Sequence, residues 1–378
     1  MQNNKSESKI IFIAGAPSPN TIEIYNNLYW KRGLDLEVWY CAETNDKWKN
    51  SMPKLNHPHF FFTNIKFDFL DIKWSFNPRI LLKLLFDKCG LVVIQGYSSI
   101  TLFIALNIIV LKRMSFAFWG ERIKTSKKDK IILKLIKKYI LYIVKKAARV
   151  YAIGNKAKES YANQGVKYDK IVNMPYSKDL KLYRSTYKHR FNACGSNIIV
   201  TTARLIRCKN IDVLINAFSY LLYRYPDWKL IILGSGPYEY ELKKGVPEIA
   251  LKNILWYGYA GIDLQCEVYK YADIFVLPSK EDGWGMVVLE AMAAGLPVIS
   301  TEGVISSWDI IEDGVNGYRI KIDRIDELIF RLDSLILSSL KRQRMGQMSY
   351  AKAKLLDISR VSKQFELDLR NLLTLPSK

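Results

Sequence analysis

Histidine, paired cysteine and long apolar runs are what this 378-residue sequence has least of, and each shortage removes a class of function. There are three histidines, His57, His59 and His189. His57-Pro58-His59 has no cysteine or acidic cluster beside it, so it reads as a loop rather than a metal pair. The five cysteines, Cys41, Cys89, Cys194, Cys208 and Cys266, include no C-x-x-C pair. That spacing gives neither a zinc site nor a disulfide framework, and it fits a reducing compartment. Residues 1–9 are polar and the apolar stretch behind them ends at Ala14, too short for a signal peptide. The apolar run 100–111 also falls short of the roughly 18 residues of a membrane span. No transmembrane helix is expected, and the sequence reads as cytoplasmic.

Acidic residues are scarce too: 36 Asp+Glu face 57 Lys+Arg, for a net charge of +21. Such a balance favours anionic partners, whether nucleic acid, phosphorylated ligands or an acidic membrane surface. Residues 122–149 hold eleven basic residues and one acid, Asp129, which is nearly half the net charge. On a helical wheel Lys130, Lys134, Lys137, Lys138, Lys145 and Arg149 fall on one side, and Ile132, Ile136, Tyr139, Ile140 and Ile143 on the other. A basic amphipathic helix of this kind fits docking on an anionic membrane, each lysine adding about 1 kcal/mol near the bilayer. The same pattern serves a helix whose apolar face packs on a sheet. No RNP, KH, zinc-finger or helix-turn-helix pattern accompanies the charge, so a nucleic-acid-binding protein stands only as the alternative.

At this length two cores are expected rather than one. Short apolar runs suited to buried parallel strands stand at 9–14, 36–40, 91–95, 115–118 and 150–153, with helical spacing over 20–32. The polar stretch 177–196 separates them from a second series at 197–202, 230–233, 254–257, 274–277 and 298–300, with a helix over 210–224. Strands alternating with helices predict a parallel sheet covered on both faces, with ligands beyond the carboxyl ends of the strands. In the first half, 15–19, 95–98 and 119–122 then share one rim. The expected architecture is α/β, with one Rossmann-like domain over 1–180 and another over 190–357. A terminal helix within 358–378 is expected to pack back on the first.

The segment 278–297 carries the most specific chemistry: Pro-Ser-Lys-Glu-Asp-Gly-Trp-Gly-Met-Val-Val-Leu-Glu-Ala-Met-Ala-Ala-Gly-Leu-Pro. A strand ends at Leu277, Gly283 and Gly285 keep the next loop bare, and a helix begins near Gly285. Backbone N–H groups at that helix start favour an anion. Asp282 in the loop and Glu290 in the helix can accept hydrogen bonds from several hydroxyls, as a ribose and a sugar ring offer. Taken alone, they also read as an ordinary surface acid and an acid on a helix face. Residues 201–210, Thr-Thr-Ala-Arg-Leu-Ile-Arg-Cys-Lys-Asn, follow another strand, and Arg204 and Lys209 could converge there on a diphosphate. Gly234-Ser235-Gly236 and Trp256-Tyr257-Gly258 supply glycine turns. Gly-Ser-Gly alone is no dinucleotide fingerprint, since it lacks the third glycine and does not open the first βαβ unit.

Together these segments, spanning about 197–318, resemble the retaining glycosyltransferases of family 4, whose fold, GT-B, sets two Rossmann-like doubly wound domains facing each other across a cleft. Their signature is an acidic residue, seven residues, then glutamate, in the context P-S-x-x-E-G-x-G-x-x-x-x-E-A. Asp282 and Glu290 match that spacing, with aspartate in place of the usual glutamate. The resemblance implies that Asp282 contacts the transferred sugar and Glu290 the nucleotide ribose, within a loop of Gly283, Trp284 and Gly285. Residues 203–210 look like the family's G-R-L-x-x-x-K-G element, with Ala203 and Asn210 in place of its glycines. That likeness assigns Arg204 and Lys209 to the donor pyrophosphate, and Gly234, Gly236 and Gly258 match the turns near the base. Residues 309–317, with Asn316-Gly317, resemble a late turn of the family. In the first half, Gly15-Ala16 stands where many members have a glycine pair near the donor phosphates. Glu121 ends the strand where many carry a sugar-contacting histidine, though a capping or solvated role suits it as well.

What the resemblance implies is transfer from a nucleoside-diphosphate sugar to a saccharide or lipid-linked acceptor, without metal or other cofactor. The expected setting is cell-surface polysaccharide or lipopolysaccharide assembly, on the inner face of the cell membrane through residues 122–149. A relative such as a nucleotide-sugar epimerase is the other alternative.

Overall fold

The computed structural model describes residues 8–42, 52–62, 65–69, 72–97, 99–123, 131–190 and 195–374. Ser98 of the expected rim, residues 124–130 of the basic stretch, Cys194 and residues 375–378 of the terminal segment lie outside them. The chain divides into two compact units, residues 1–178 with 358–378, and residues 179–357.

The described strands of the first unit are β1 (Ile10–Ala14), β2 (Leu36–Tyr40), β3 (His59–Phe61), β4 (Ile65–Phe69), β5 (Ile72–Phe76), β6 (Leu91–Gln95), β7 (Phe116–Gly120), β8 (Arg149–Ala152) and β9 (Ile171–Asn173). β4 and β5 pair only with each other, antiparallel. The other seven form one parallel sheet in the order β3-β2-β1-β6-β7-β8-β9. Every side chain of β1 is fully buried, because helices cover both faces, and this is why the strand reads as an unbroken apolar run. β7 runs two residues further than its expected bounds, so Trp119 and Gly120 belong to the strand and Trp119 is fully buried.

The helix Ile358–Thr374 belongs to this unit although it closes the sequence. Its buried residues Ile358, Val361, Phe365, Leu369 and Leu372 recur at helical spacing. Phe365 sits edge-on to Trp119 and Tyr151, with ring centroids 5.3 and 4.6 Å away. Asp368 accepts from Tyr151 Oη at 2.7 Å and from Arg149 Nε at 3.0 Å.

The basic helix is seated differently from its wheel. It spans Ile131–Val144, and Ile140, Ile143 and Val144 are buried in the first-unit core. Ile131, Ile132, Leu135, Tyr139 and Tyr142 are exposed, so Ile132 and Tyr139 do not share the buried face. The helix packs beside the helix Ile100–Leu111, where Tyr139 Oη donates to Asn107 Oδ1 at 2.6 Å, and its buried residues lie in its last turns.

In the second unit, β10 (Ile198–Thr202), β11 (Lys229–Leu233), β12 (Ile254–Gly258), β13 (Ile274–Leu277), β14 (Val298–Thr301) and β15 (Gly317–Ile320) form a parallel sheet in the order β12-β11-β10-β13-β14-β15. The winding reverses between β10 and β13, where Ile199 lies beside Ile274. Loops leaving the carboxyl ends of those two strands flank the crevice in which ligands of such sheets bind. The strands β3, β9 and β15, of three or four residues, and the β4–β5 hairpin, of two five-residue strands, lie outside the apolar runs that the sequence shows. No helix among the described residues is long and apolar enough to cross a membrane.

His57 is buried in the first unit, within hydrogen-bonding distance of Asn26 Oδ1 (2.7 Å) and Tyr40 Oη (3.1 Å). Asn26 Oδ1 can only accept, so Nδ1 carries the proton and Nε2 accepts from the phenol. Burial pushes the imidazole pKa down to about 3, helped by the neighbouring His59. A depressed pKa means that the unfolded chain takes up the proton first, so this stabilisation holds above about pH 6.5 and is lost as pH falls toward 3. Wild type and His57→Gln compared by chemical denaturation should therefore converge in stability on going from pH 7.5 to pH 5, by up to about 1.4 kcal/mol per pH unit below 6.5. A gap that stays constant would place the titration elsewhere.

Candidate functional site

Three loops of the second unit lock together at the reversal point. The loop after β10 runs from Ala203 to Asn210, and the loop after β13 from Pro278 to Gly285. They join where Lys280 N donates to Cys208 O at 2.8 Å. The loop after β14 is bonded to the second of these: Asp282 N donates to Gly303 O at 3.0 Å and Ser306 N to Trp284 O at 3.0 Å. Lys280 Nζ also reaches Asp323 at 2.9 Å, and Asn210 Nδ2 donates to the same carboxylate at 3.1 Å. The Lys280 hydrogen bond holds Asp323 below the usual carboxylate range.

Across this seam Lys209 Nζ is ion-paired with Asp282 Oδ2. Their side chains are 15% and 19% exposed, so the pair is partly withdrawn from water yet open on one side. Arg204, five residues before Lys209 on the same loop, is exposed. Gly283 is exposed beside them, whereas Trp284 is buried and offers the rim its backbone. Gly285 has φ +82° and caps the helix Met286–Ala293; a Cβ there would lie 2.5 Å from Val304 Cγ1. Only glycine combines that backbone with that contact.

Glu290 lies in that helix and is buried. Its Oε2 accepts from Gln265 Nε2 at 2.8 Å. Gln265 comes from the helix Ile262–Tyr271 and also donates to Tyr269 Oη at 2.8 Å, while Tyr183 Oη donates to Gln265 Oε1 at 3.1 Å. Tyr269 Oη lies 2.9 Å from Thr202 Oγ1, at the end of β10, so the Glu290 web reaches the same rim as Lys209. Burial, followed by the Glu290 charge, pushes the Tyr183 and Tyr269 phenols well above their ordinary range. Gln265, Tyr183 and Tyr269 escaped the sequence reading; the only local signal is the four-residue spacing of Gln265 and Tyr269 on one helix face.

The glycine turns make a second seam. Gly234 has φ +149°, and a Cβ would stand 1.8 Å from Ala203 O; at Gly236 it would stand 2.3 Å from Leu205 O. Leu205 N donates to Ser235 O at 3.0 Å, and Gly234 N to Gly258 O. Gly258 has φ +67° and flanks the exposed Tyr257 and Tyr259. In the late turn Asn316 Nδ2 donates to Ile310 O at 2.9 Å, and Gly317 opens β15 against Val298 O.

In the first unit Gly15 O accepts from Ala42 N at 2.9 Å, and Ala16 follows it at the carboxyl end of β1. Glu121 is exposed just past β7, and its backbone O accepts from Tyr161 Oη at 2.5 Å. Among the described residues no group of three or more His, Cys, Asp or Glu side chains could hold a metal ion.

Comparison with known proteins places these features. Residues 187–352, within the second unit, match the family model "Glycosyl transferases group 1". An uncharacterized glycosyltransferase of Haemophilus influenzae is 30% identical over 149 residues, covering 39% of this chain and 42% of that protein. The chain thus spans less than two thirds of the length of the curated relatives it matches. Anabaena HepE, solved in complex with UDP, superposes with a TM-score of 0.76 at 17% identity, covering 96% of this chain and 100% of that one. The apo form of the lipopolysaccharide outer core galactosyltransferase WaaB gives 0.69 at 16% identity, with 96% and 99% covered. The fold is that of the GT-B glycosyltransferases, with two Rossmann-like parallel-sheet units.

Gly236→Ala should destabilise the second unit by about 1–3 kcal/mol, because the methyl group meets backbone on the next loop. At Gly261 a Cβ would meet nothing within 4 Å, so Gly261→Ala is the control and should change stability by less than about 1 kcal/mol. Equal denaturation midpoints for the two variants would refute the close approach.

Proposed function

We propose that this protein is a retaining glycosyltransferase of family 4, drawing its sugar from a nucleoside diphosphate. The observation that carries the reading is the ion pair between Lys209 and Asp282, which brings one member of the cationic pair to one member of the acidic pair although 73 residues separate them. The match of residues 187–352 to glycosyl transferases group 1 supports it. UDP is bound by HepE, which shares this fold.

In this reading Arg204 and Lys209 grip the diphosphate, with the bare start of the helix Met286–Ala293 beside it. Asp282, released as Lys209 turns to the phosphates, accepts from sugar hydroxyls, and Glu290 accepts from the ribose. Acceptor recognition falls to the first unit. The acceptor hydroxyl oxygen bonds to the anomeric carbon as the bond to the diphosphate breaks. Its proton passes to the departing diphosphate oxygen on the same face, which retains configuration. The protein contributes position and charge stabilisation, and needs no metal.

The acceptor is lipid-linked, and the product enters cell-surface polysaccharide or lipopolysaccharide, as the name of WaaB illustrates for that protein. The enzyme works in the cytoplasm, docked on the inner face of the membrane. Support comes from the helix Ile131–Val144, whose exposed Ile131, Ile132 and Leu135 stand beside Lys134, Lys137 and Lys138. β7 leads into this helix and β8 follows it, so its first turns lie toward the carboxyl-end rim of the sheet.

A screen of UDP-, GDP- and ADP-sugars against membrane extract should give a labelled lipid-extractable product, and the transfer should persist in chelator. Lys209→Ala should lower the rate by roughly 10²–10³-fold while leaving the fold intact; unchanged turnover would refute the role. Ile132→Ser with Leu135→Ser should weaken binding to phosphatidylglycerol vesicles at least about tenfold. Retained vesicle binding in that double variant would remove the helix from the interface.

A further inference from the structure

One buried amide beside the proposed donor site takes no part in the reaction as described. Gln265 is 6% exposed, and the side chains it hydrogen-bonds, Glu290, Tyr269 and Tyr183, all lie within the second unit. One N–H points to Glu290 Oε2 and the other to Tyr269 Oη, each at 2.8 Å, while the carbonyl accepts from Tyr183 Oη at 3.1 Å. The orientation of this amide is dictated by its neighbours. A carboxylate only accepts, so a flipped amide would turn its oxygen against Glu290 and its nitrogen toward a hydroxyl proton.

We infer that Gln265 is a positioning residue: its amide aims the Glu290 carboxylate at the ribose of the donor and so sets nucleotide affinity without touching the ligand. The inference rests on the reading of Glu290 as the ribose acceptor. Its physical basis is the terminal torsion of glutamate, which is broad and has no sharp staggered minimum. Packing along the helix fixes where the Glu290 stem lies, but only a hydrogen-bonding partner fixes the plane of its carboxylate. Gln265 is such a partner, bonded to Glu290 Oε2 at 2.8 Å; Tyr183, which also hydrogen-bonds Glu290, and Tyr269, both fully buried, hold Gln265. Tyr183 stands in the helix Lys181–Arg190, at the start of the second unit. The web thus ties three helices to one carboxylate.

The test is calorimetric titration of the full chain with UDP, GDP and ADP in turn, and separately with inorganic pyrophosphate, which has no ribose. Gln265→Met keeps the length and loses the amide; Tyr269→Phe keeps the ring and loses a hydroxyl that bonds Gln265 and Thr202. Gln265→Met should weaken the best-bound nucleoside diphosphate about tenfold while pyrophosphate affinity stays the same. Tyr269→Phe should act in the same direction and less strongly, and it decides the matter if Gln265→Met does not fold. Equal losses for both ligands, or no loss for either, would overturn the positioning role. Glu290→Gln separates the two levels of inference. If it weakens only the nucleoside diphosphate while Gln265→Met does not, the ribose reading stands and the role of Gln265 falls. If Glu290→Gln binds like wild type, the ribose reading itself falls.

Discussion

Lys209 and Asp282 hold each other across the point where the second sheet reverses its winding, and the arrangement of the rim follows from that contact. Each charge would be costly to withdraw from water alone, and each makes the other tolerable. The pair has no net charge, so a cation and an acid can share one partly covered place without ligand. On the proposed function a diphosphate would compete for the cation as an anion of higher charge, and a sugar for the acid with its hydroxyls. The one contact would then couple the two halves of the proposed donor, its rupture by one end freeing a group for the other.

The surrounding backbone makes such exchange possible without rearranging loops. The loop after β10 is bonded on one side to Ser235 and on the other to Lys280, and the loop after β13 is bonded in turn to Gly303 and Ser306. Glycines mark the closest approaches, with Gly234 and Gly236 against the β10 loop and Gly303 against Lys280 O. The conformational entropy of these segments is lost during folding, so a ligand meeting them has little left to order. Side chains, rather than backbone, are left to respond.

Much of this was legible in the sequence, for reasons that differ between its parts. Buried parallel strands such as β1, β6 and β13 show as unbroken apolar runs, so the two alternating series could be read directly. The acid at 282 is legible through Gly283 and Gly285 beside it and the cation at 209 through its place in a loop after a buried strand, although nothing local says that they touch. The Glu290 web was not legible. Gln265 and Tyr183 are polar residues on helices otherwise unremarkable in pattern, and they meet only in three dimensions. The wheel of the basic helix gives one apolar stripe but does not say how it is shared: Ile140 and Ile143 are buried and Ile136 packs on the core, while Ile132 and Tyr139 are exposed.

The helix Ile358–Thr374 sets an order on how the molecule can mature. Phe365 completes an aromatic nest with Phe12, Trp119 and Tyr151, contributed from the far end of the chain. During synthesis at about 5–20 residues per second, the nest waits roughly 10–40 s between emergence of residue 178 and arrival of Phe365. The second unit, contiguous over 179–357, has no such wait. The half that is translated first is therefore the later of the two to be finished, and a ribosome that stops before Phe365 strands residues 1–178 rather than the contiguous second unit.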